Sequence, residues 1–453
     1  RREFVKSVTI LPGQIKEIPD YAFTDWDYLE SIIIPEGIET IGDHAFDDCM
    51  LLKIISMPST LKSIGGSNFN LSSLVIILNS NQVVEIDEDT FPDVYTQDAD
   101  ELFQSIIIVD DALLGAYKEA NYWSDLANFI FAKNQVNYVE EDFLVTGDTI
   151  LLKYIGDQST VVVPAVITEI GMFAFAFNLN VENVILPEGI TKIGYGSFMI
   201  SIYLKSIQLP STLKEIKSAA FVQCMNLSVL DIPASVETIG DYAFYMYSSY
   251  PLAVIFHGSP INISANVFDS DSKYFILVPD DLVDDYKESD VWSELSDYIY
   301  SQALVEDEML IEDNVLLIYL GSDLEVTVHD GVVTIGEYAF SNKSEISEII
   351  LPDSVTTISS YAFKDCKNLV NIDLGDGLEY ISSYAFENCK FEYIHIPGSI
   401  QVIETKAFWG CNEHIKIYIH NTSSEGIDLA TEWNLISYKL DYATVEYDGE
   451  GQE

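Results

Sequence analysis

The sequence predicts a repeat solenoid, with coils of about 23 residues that are mostly parallel β-structure and capping helices set between runs of coils. Three observations predict it. A phenylalanine returns at a nearly fixed step, a turn motif precedes it at a nearly fixed lead, and two long segments between the runs are copies of each other.

The phenylalanine occupies Phe23, Phe46, Phe69 and Phe91, then Phe175, Phe198, Phe221, Phe244 and Phe268, then Phe340, Phe363, Phe386 and Phe408. Most steps within a run are 23 residues, with a few of 22 or 24. About eleven residues earlier comes an apolar residue followed by a proline turn, as in "IPEGIETI" at Ile34, "LPSTLKEI" at Leu209 and "LPDSVTTI" at Leu351. The unit reads L-P-x-(G/S)-(I/L/V)-x-x-I-x-x-x-A-F-x-x-(C/small)-x-x-L-x-x-I-x.

Within a coil, "LVNIDL" (Leu369 to Leu374) alternates apolar and polar, the mark of a half-buried strand. Proline then fixes φ and turns the chain. Ile358 with Ala362 and Phe363 brings it back across the core. One coil cannot bury its apolar side alone, so the coils must stack.

All five cysteines (Cys49, Cys224, Cys366, Cys389, Cys411) lie three residues after the repeat phenylalanine, where other coils carry Ser72, Asn178 or Ser201. The position wants a small side chain, and a free thiol serves there as a small buried group with a weak donor. An odd count argues against a disulfide framework. A bridge or metal site among Cys366, Cys389 and Cys411, or a reactive Cys411 beside His414, stays open at this point. His44 takes a coil position filled elsewhere by Tyr21, Tyr242 and Tyr361, which reads as structural.

The first copied segment, Ile106 to Ile130, aligns without a gap on Phe275 to Ile299, with Leu113/Leu282, Tyr117/Tyr286 and Trp123/Trp292 among the identities. Each copy reads as a buried strand followed by an amphipathic helix, N-capped by Asp111 or Asp280, with Leu113, Tyr117 and Trp123 on its apolar side. A second pair, starting at Asp148 and Asp313, reads as a hairpin that restarts the coils. The expected organisation is a first array at 1–105, a strand–helix connector at 106–142, a second array at 143–274, a connector at 275–308, a third array at 309–420, and a C-terminal cap and tail at 421–453 that contains Trp433. The alternative for Trp123 and Trp292 is a ligand platform.

Lys+Arg total 22 against 73 Asp+Glu, a formal charge of −51, which disfavours nucleic acid and anionic membrane as partners. No apolar run approaches a membrane span. No phosphate loop, zinc spacing or serine elbow is present, and so no catalytic residue or cofactor is expected. Calcium would be drawn only by general acidity, because no calcium-loop motif occurs. The chain starts at Arg1 and ends on "VEYDGEGQE", and it reads as a piece of a longer protein.

The repeat unit, with its "YAF" and the small residue or cysteine that follows, resembles the BspA-type leucine-rich repeats. The segments "VPDDLVDDYKESDVWSEL" and "LLIYLGSDLEVTVHDGVVTIGEYAF" are similar to those that close and open arrays in that family. The resemblance covers nearly the whole chain. It implies leucine-rich-repeat arrays on a secreted or cell-surface protein of the kind abundant on gut and oral bacteria and found in some parasitic protists. It also implies adhesion to host proteins, glycans or other microbes, without enzymatic activity. The alternative is a stalk or spacer of a larger surface protein.

Side chains alternate across a strand, so the residue between two apolar anchors faces away from the core. This gives an outward row of Ile33, Ser56, Ile185, Gln208, Asp231, Ile350, Asp373, His395 and Tyr418. Its third-array part, Ile350, Asp373, His395 and Tyr418, is the expected binding face for an extracellular protein or glycan, presented by a monomer.

Overall fold

The structure is a computed structural model that describes residues 5–13, 15–69, 74–91, 105–246, 250–264, 266–268, 272–412 and 415–420, together with the strands Asp428–Leu429 and Thr444–Tyr447. Ser72, His414 and Trp433 lie outside the described residues. The chain forms two compact units. One comprises residues 1–227 with 233–247 and 261–270; the other comprises 228–232, 248–260 and 271–453.

In the first unit, each early coil contributes a longer strand to one sheet and a two-residue strand to another. The longer strands Ser7–Thr9, Ser31–Ile33, Ile54–Met57, Val75–Leu78, Ile106–Val109 and Ile130–Ala132 pair in parallel, in that order. The short strands Glu17–Ile18, Thr40–Ile41, Ser63–Ile64 and Glu85–Ile86 form the second ladder. The hairpin that restarts the coils has three antiparallel strands, Val136–Val139, Phe143–Thr146 and Ile150–Tyr154. Its last strand then opens the next parallel ladder through Ile150 and Leu151. The second unit repeats the scheme with the hairpin strands Val305–Glu306, Met309–Glu312 and Val315–Tyr319.

The repeat phenylalanine carries the core. Phe23, Phe46, Phe69 and Phe91 stack at centroid distances of 5.3, 5.8 and 5.7 Å. Phe340, Phe363, Phe386 and Phe408 stack at 5.2, 5.1 and 5.2 Å. Tyr154 and Tyr319, from the hairpins, head the second and third columns.

The turn around the phenylalanine forms a third ladder that the sequence did not disclose. In most coils the residues two before and two after it are left-handed, as at Gly196 (φ 55) and Ile200 (φ 56), or Tyr384 (φ 61) and Asn388 (φ 60). This conformation costs a non-glycine residue roughly 1–2 kcal/mol. It also aims alternate N–H groups at the next coil. Gly196, Phe198 and Ile200 donate to the carbonyls of Ser218, Ala220 and Val222 at 3.1, 2.8 and 2.8 Å. The cysteine position completes this turn. The Cys366, Cys389 and Cys411 thiols donate to the carbonyls of Phe340, Phe363 and Phe386 at 3.0, 3.1 and 3.0 Å, and Ser201 Oγ does the same to Phe175 at 2.8 Å. All five cysteines are buried free thiols.

The connectors cap coil ends, with two corrections. The helices are short, Leu114–Glu119 and Val283–Glu288, flanked by 3-10 turns. The first cap is Asp110, whose carboxylate accepts from Ala112 N, rather than Asp111; in the second copy Pro279 holds that place and Asp280 follows it. Trp123 is buried and donates from Nε1 to Val84 O at 2.7 Å, and Tyr117 Oη donates to Gln82 O at 3.2 Å. Both rings therefore satisfy backbone groups at the end of the short-strand ladder. Trp292 is equally buried against Phe256 and Tyr286, which sets aside the ligand-platform reading for both tryptophans.

The two hairpins hold a carbonyl in the same way with lysines of different origin. Lys53 Nζ, from the first array, donates to Gly156 O at 2.8 Å. Lys343 Nζ donates to the corresponding Gly321 O at 2.9 Å and lies 3.5 Å from Ser228 Oγ. By repeat position, Ser228 stands where Lys53 stands in the first array, and Lys343 stands where Asn178 stands. The ammonium has changed sides across the junction. Lys343 also takes the cysteine position, where sequence reasoning expected only small residues. Its burial lowers its pKa to about 8, and its Nζ sits 5.5 Å from the Tyr319 ring. The variant Lys53→Ser should cost about 1–2 kcal/mol by leaving Gly156 O without its charged donor. Adding Asn178→Lys should recover most of that loss in a urea melt.

Candidate binding face of the third array

The outward row behaves differently in each array. In the first it runs in register through Thr9, Ile33, Ser56, Ile77 and Ile108. Ile33 is 63% exposed, but Ile108 is buried with Val75 and Ile106 against Val136, Leu144 and Leu152 of the hairpin. In the second unit Asp231 is followed by Ile255 and Leu277, and Leu277 is buried with Phe275 against Leu310 and Ile318. Ile77, Ile108, Ile255 and Leu277 occupy this register too, and the row read from the sequence did not include them. Those strands are apolar on both sides because a hairpin covers the outer side.

The third array's row divides into two short ladders. Ile350, 41% exposed, pairs in register with exposed Asp373. Asp373 Oδ1 accepts from Gly375 N at 3.1 Å, which fixes its rotamer at the turn. The strands Tyr393–Ile396 and Lys416–Ile419 then place His395 opposite Tyr418 in a separate sheet. The His395 and Tyr418 rings lie 5.0 Å apart and 17° from parallel. All four residues thus face outward, but as two pairs rather than one continuous ladder.

Sequence reasoning missed two further members of this face. Tyr393, half exposed, meets His395 edge-on at 5.7 Å. His420 Nε2 lies 2.8 Å from His395 Nδ1, with ring planes 10° apart and centroids 5.0 Å apart. That centroid distance is close to the N···N distance plus two ring radii, so the rings meet end to end and share one hydrogen. One imidazole donates and the other accepts, and their lone pairs do not converge on a third point. The signal for His420 was its i, i+2 spacing from Tyr418, which puts both on one side of a strand.

Perturbed ionisable groups, a common mark of catalysis, lie away from this face and have structural causes. Burial pushes the thiols of Cys49, Cys366 and Cys411 up to about 12, which keeps them protonated and inert. Burial lowers Lys153 to about 7, and its Nζ donates to Phe173 O at 3.0 Å. Among the described residues no group of three or more His, Cys, Asp or Glu side chains could hold a metal ion, and no helix is long and apolar enough to cross a membrane.

The face thus presents aromatic, imidazole, apolar and carboxylate groups on one side of its strands. The sequence profile of the BspA type leucine rich repeat region matches at residues 4–106, 159–284 and 331–430, in 6 copies. The chain belongs to the BspA-type leucine-rich repeat family. Among solved structures it is similar to a leucine rich cell surface protein from Faecalibacterium prausnitzii, at 18% identity and TM-score 0.28, covering 99% of this chain and 89% of that one. A leucine-rich repeat protein from Bacteroides ovatus matches at 21% identity and TM-score 0.27, covering 98% and 84%. The pneumococcal vaccine antigen PcpA matches at 16% identity and TM-score 0.28, covering 98% and 80%. No curated protein matches the sequence. In family terms, the third array carries repeats whose outer strand side bears Tyr393, His395, Tyr418 and His420.

Lys153 yields a pH prediction. Its folded pKa of about 7 lies below its ordinary 10.5, so the unfolded chain binds the extra proton between those values and stability rises with pH across that window. Lys153→Ile, the residue found at Ile318 in the second copy, should therefore stabilise the protein most below about pH 7. Its advantage should shrink toward pH 10.5 in urea titrations that compare variant and wild type.

Proposed function

We propose that this chain is a non-catalytic, extracellular binding module, part of a cell-surface adhesin whose partner is a host protein, a glycan or another microbe. The observation that carries this reading is the cluster of exposed Tyr393, His395 and His420 with half-buried Tyr418. It stands on the last strands of its array, whereas the strands just before the two connectors are apolar and covered by hairpins. Tyrosine supplies large contact area with few rotamers to freeze, and imidazole adds a donor and an acceptor. Ile350 and Asp373 extend the face with one apolar and one acidic contact. A strand side meant only for solvent has no use for an exposed Tyr393 and a half-buried Tyr418 on either side of His395.

A stalk gains from the lysine-held junctions but not from this cluster. The experiment is a pull-down against extracellular-matrix proteins and mucin glycans with wild type and an Asp373→Lys, Tyr418→Ala variant. Wild type should retain at least one of these ligands. The double variant should bind it about tenfold more weakly or worse, as expected for the loss of a central aromatic contact. Equal binding by both proteins would place the site elsewhere, and no binding by either would favour the stalk.

A further inference from the structure

Beyond the third-array face, the first unit contains a groove that the repeat architecture does not require. It has a volume of about 430 Å³ and lies between the first connector and the hairpin that follows it. That volume falls within the roughly 300–1,000 Å³ typical of small-ligand sites. Its lining includes Phe131, Asn134, Asn137, Thr146 and Asp148, with Lys118 and Asn128 also contributing.

The supporting loop is held by its own hydrogen bonds. Gln135 Oε1 accepts from Ala132 N at 2.8 Å, and Thr146 Oγ1 donates to Gln135 O at 2.8 Å. Asn134 N donates to Asp111 Oδ1 at 3.0 Å, which pins the turn and leaves the Asn134 amide side chain on the exposed rim. Asn137 Nδ2 donates to Asp148 Oδ1 at 3.1 Å. Amide and carboxylate therefore stand side by side and present alternating donors and acceptors. Half-buried Phe131, at the end of the outward row after Ile108, adds an aromatic surface.

This is the chemistry that recognises vicinal hydroxyls over an apolar C–H face. An amide offers a donor and an acceptor in one plane, a carboxylate accepts from a hydroxyl, and the ring packs against the carbons. The lining holds one cation and one anion, Lys118 and Asp148, in a chain whose formal charge is −51. A groove balanced in this way selects neither a cation nor an anion.

The chain contains its own comparison. The second connector and hairpin have the same plan, yet Asn134, Gln135 and Asn137 become Ala303, Leu304 and Glu306. Thr146, opposite Val136 in its hairpin, corresponds to Glu312 at the end of the equivalent strand. The scaffold needs none of the amides. We infer that the groove of Asn134, Asn137, Asp148 and Phe131 is a binding site for a neutral saccharide, separate from the third-array face.

The test is saturation-transfer NMR on the full chain with glucose, galactose, mannose, N-acetylglucosamine and their β-linked disaccharides, followed by titration of any that respond. At least one should bind with a dissociation constant of roughly 0.1–10 mM, the affinity expected of a few hydrogen bonds and one ring. Asn137→Ala and Asp148→Asn should each weaken it about tenfold or more, with unchanged melting because both residues are exposed and asparagine, like aspartate, tolerates the left-handed backbone at 148. Glu306→Ala at the second copy, and the Asp373→Lys, Tyr418→Ala variant, should leave it unchanged. The inference fails if no neutral saccharide in the panel gives a signal, or if the signal survives intact in both groove variants. It also fails if the third-array variant abolishes the signal.

Discussion

Each coil is held to the next by N–H groups that a left-handed turn aims along the stacking direction, beside a phenylalanine that stacks on its counterpart. The turn pays for its strained residues by satisfying three backbone donors at once, as at Gly196, Phe198 and Ile200. The thiol or hydroxyl three residues after the phenylalanine then saturates the remaining carbonyl, as Cys366 does for Phe340. With short strands of two residues, the β-ladders alone give each coil few hydrogen bonds. The phenylalanine columns and the turn ladder supply the rest of the stacking.

That constraint decides which surfaces are free for function. Core-facing positions are spent on stacking, and the outer strand side is spent wherever a hairpin lies over it, as at Ile108 or Leu277. What remains is the start of each array and the outer side of the third array's last strands, where polar aromatic residues replace isoleucine. The proposed binding face and the inferred saccharide groove both lie where stacking makes no demand on the side chains.

Much of this was legible in the sequence because a period of 23 makes equivalent positions visible by subtraction. The phenylalanine columns, the small-residue position and the outward direction of Ile350, Asp373, His395 and Tyr418 all followed from spacing alone. The covering of Ile108 and Leu277, and the partial covering of Ile77 and Ile255, did not, because the covering hairpin is not in the same coil. The place of Lys343 was hidden for a different reason. A lysine at a small-residue position reads as a broken pattern until the carbonyl of Gly321 and the ring of Tyr319 are seen around it. The connector helices were overestimated because apolar spacing cannot separate one helix from alternating 3-10 and α turns. Of the candidate face, Tyr393 and His420 were missed because the row was read one residue per coil.

The turn ladder is the central claim, and amide hydrogen exchange tests it most directly. The N–H groups of Tyr384, Phe386 and Asn388, which donate to Lys406, Ala407 and Trp409 at 3.2, 2.8 and 2.8 Å, should exchange as slowly as those of the neighbouring strand Tyr393–Ile396. Exchange at the rate of an exposed loop would contradict the account and leave the phenylalanine column as the only tie between turns.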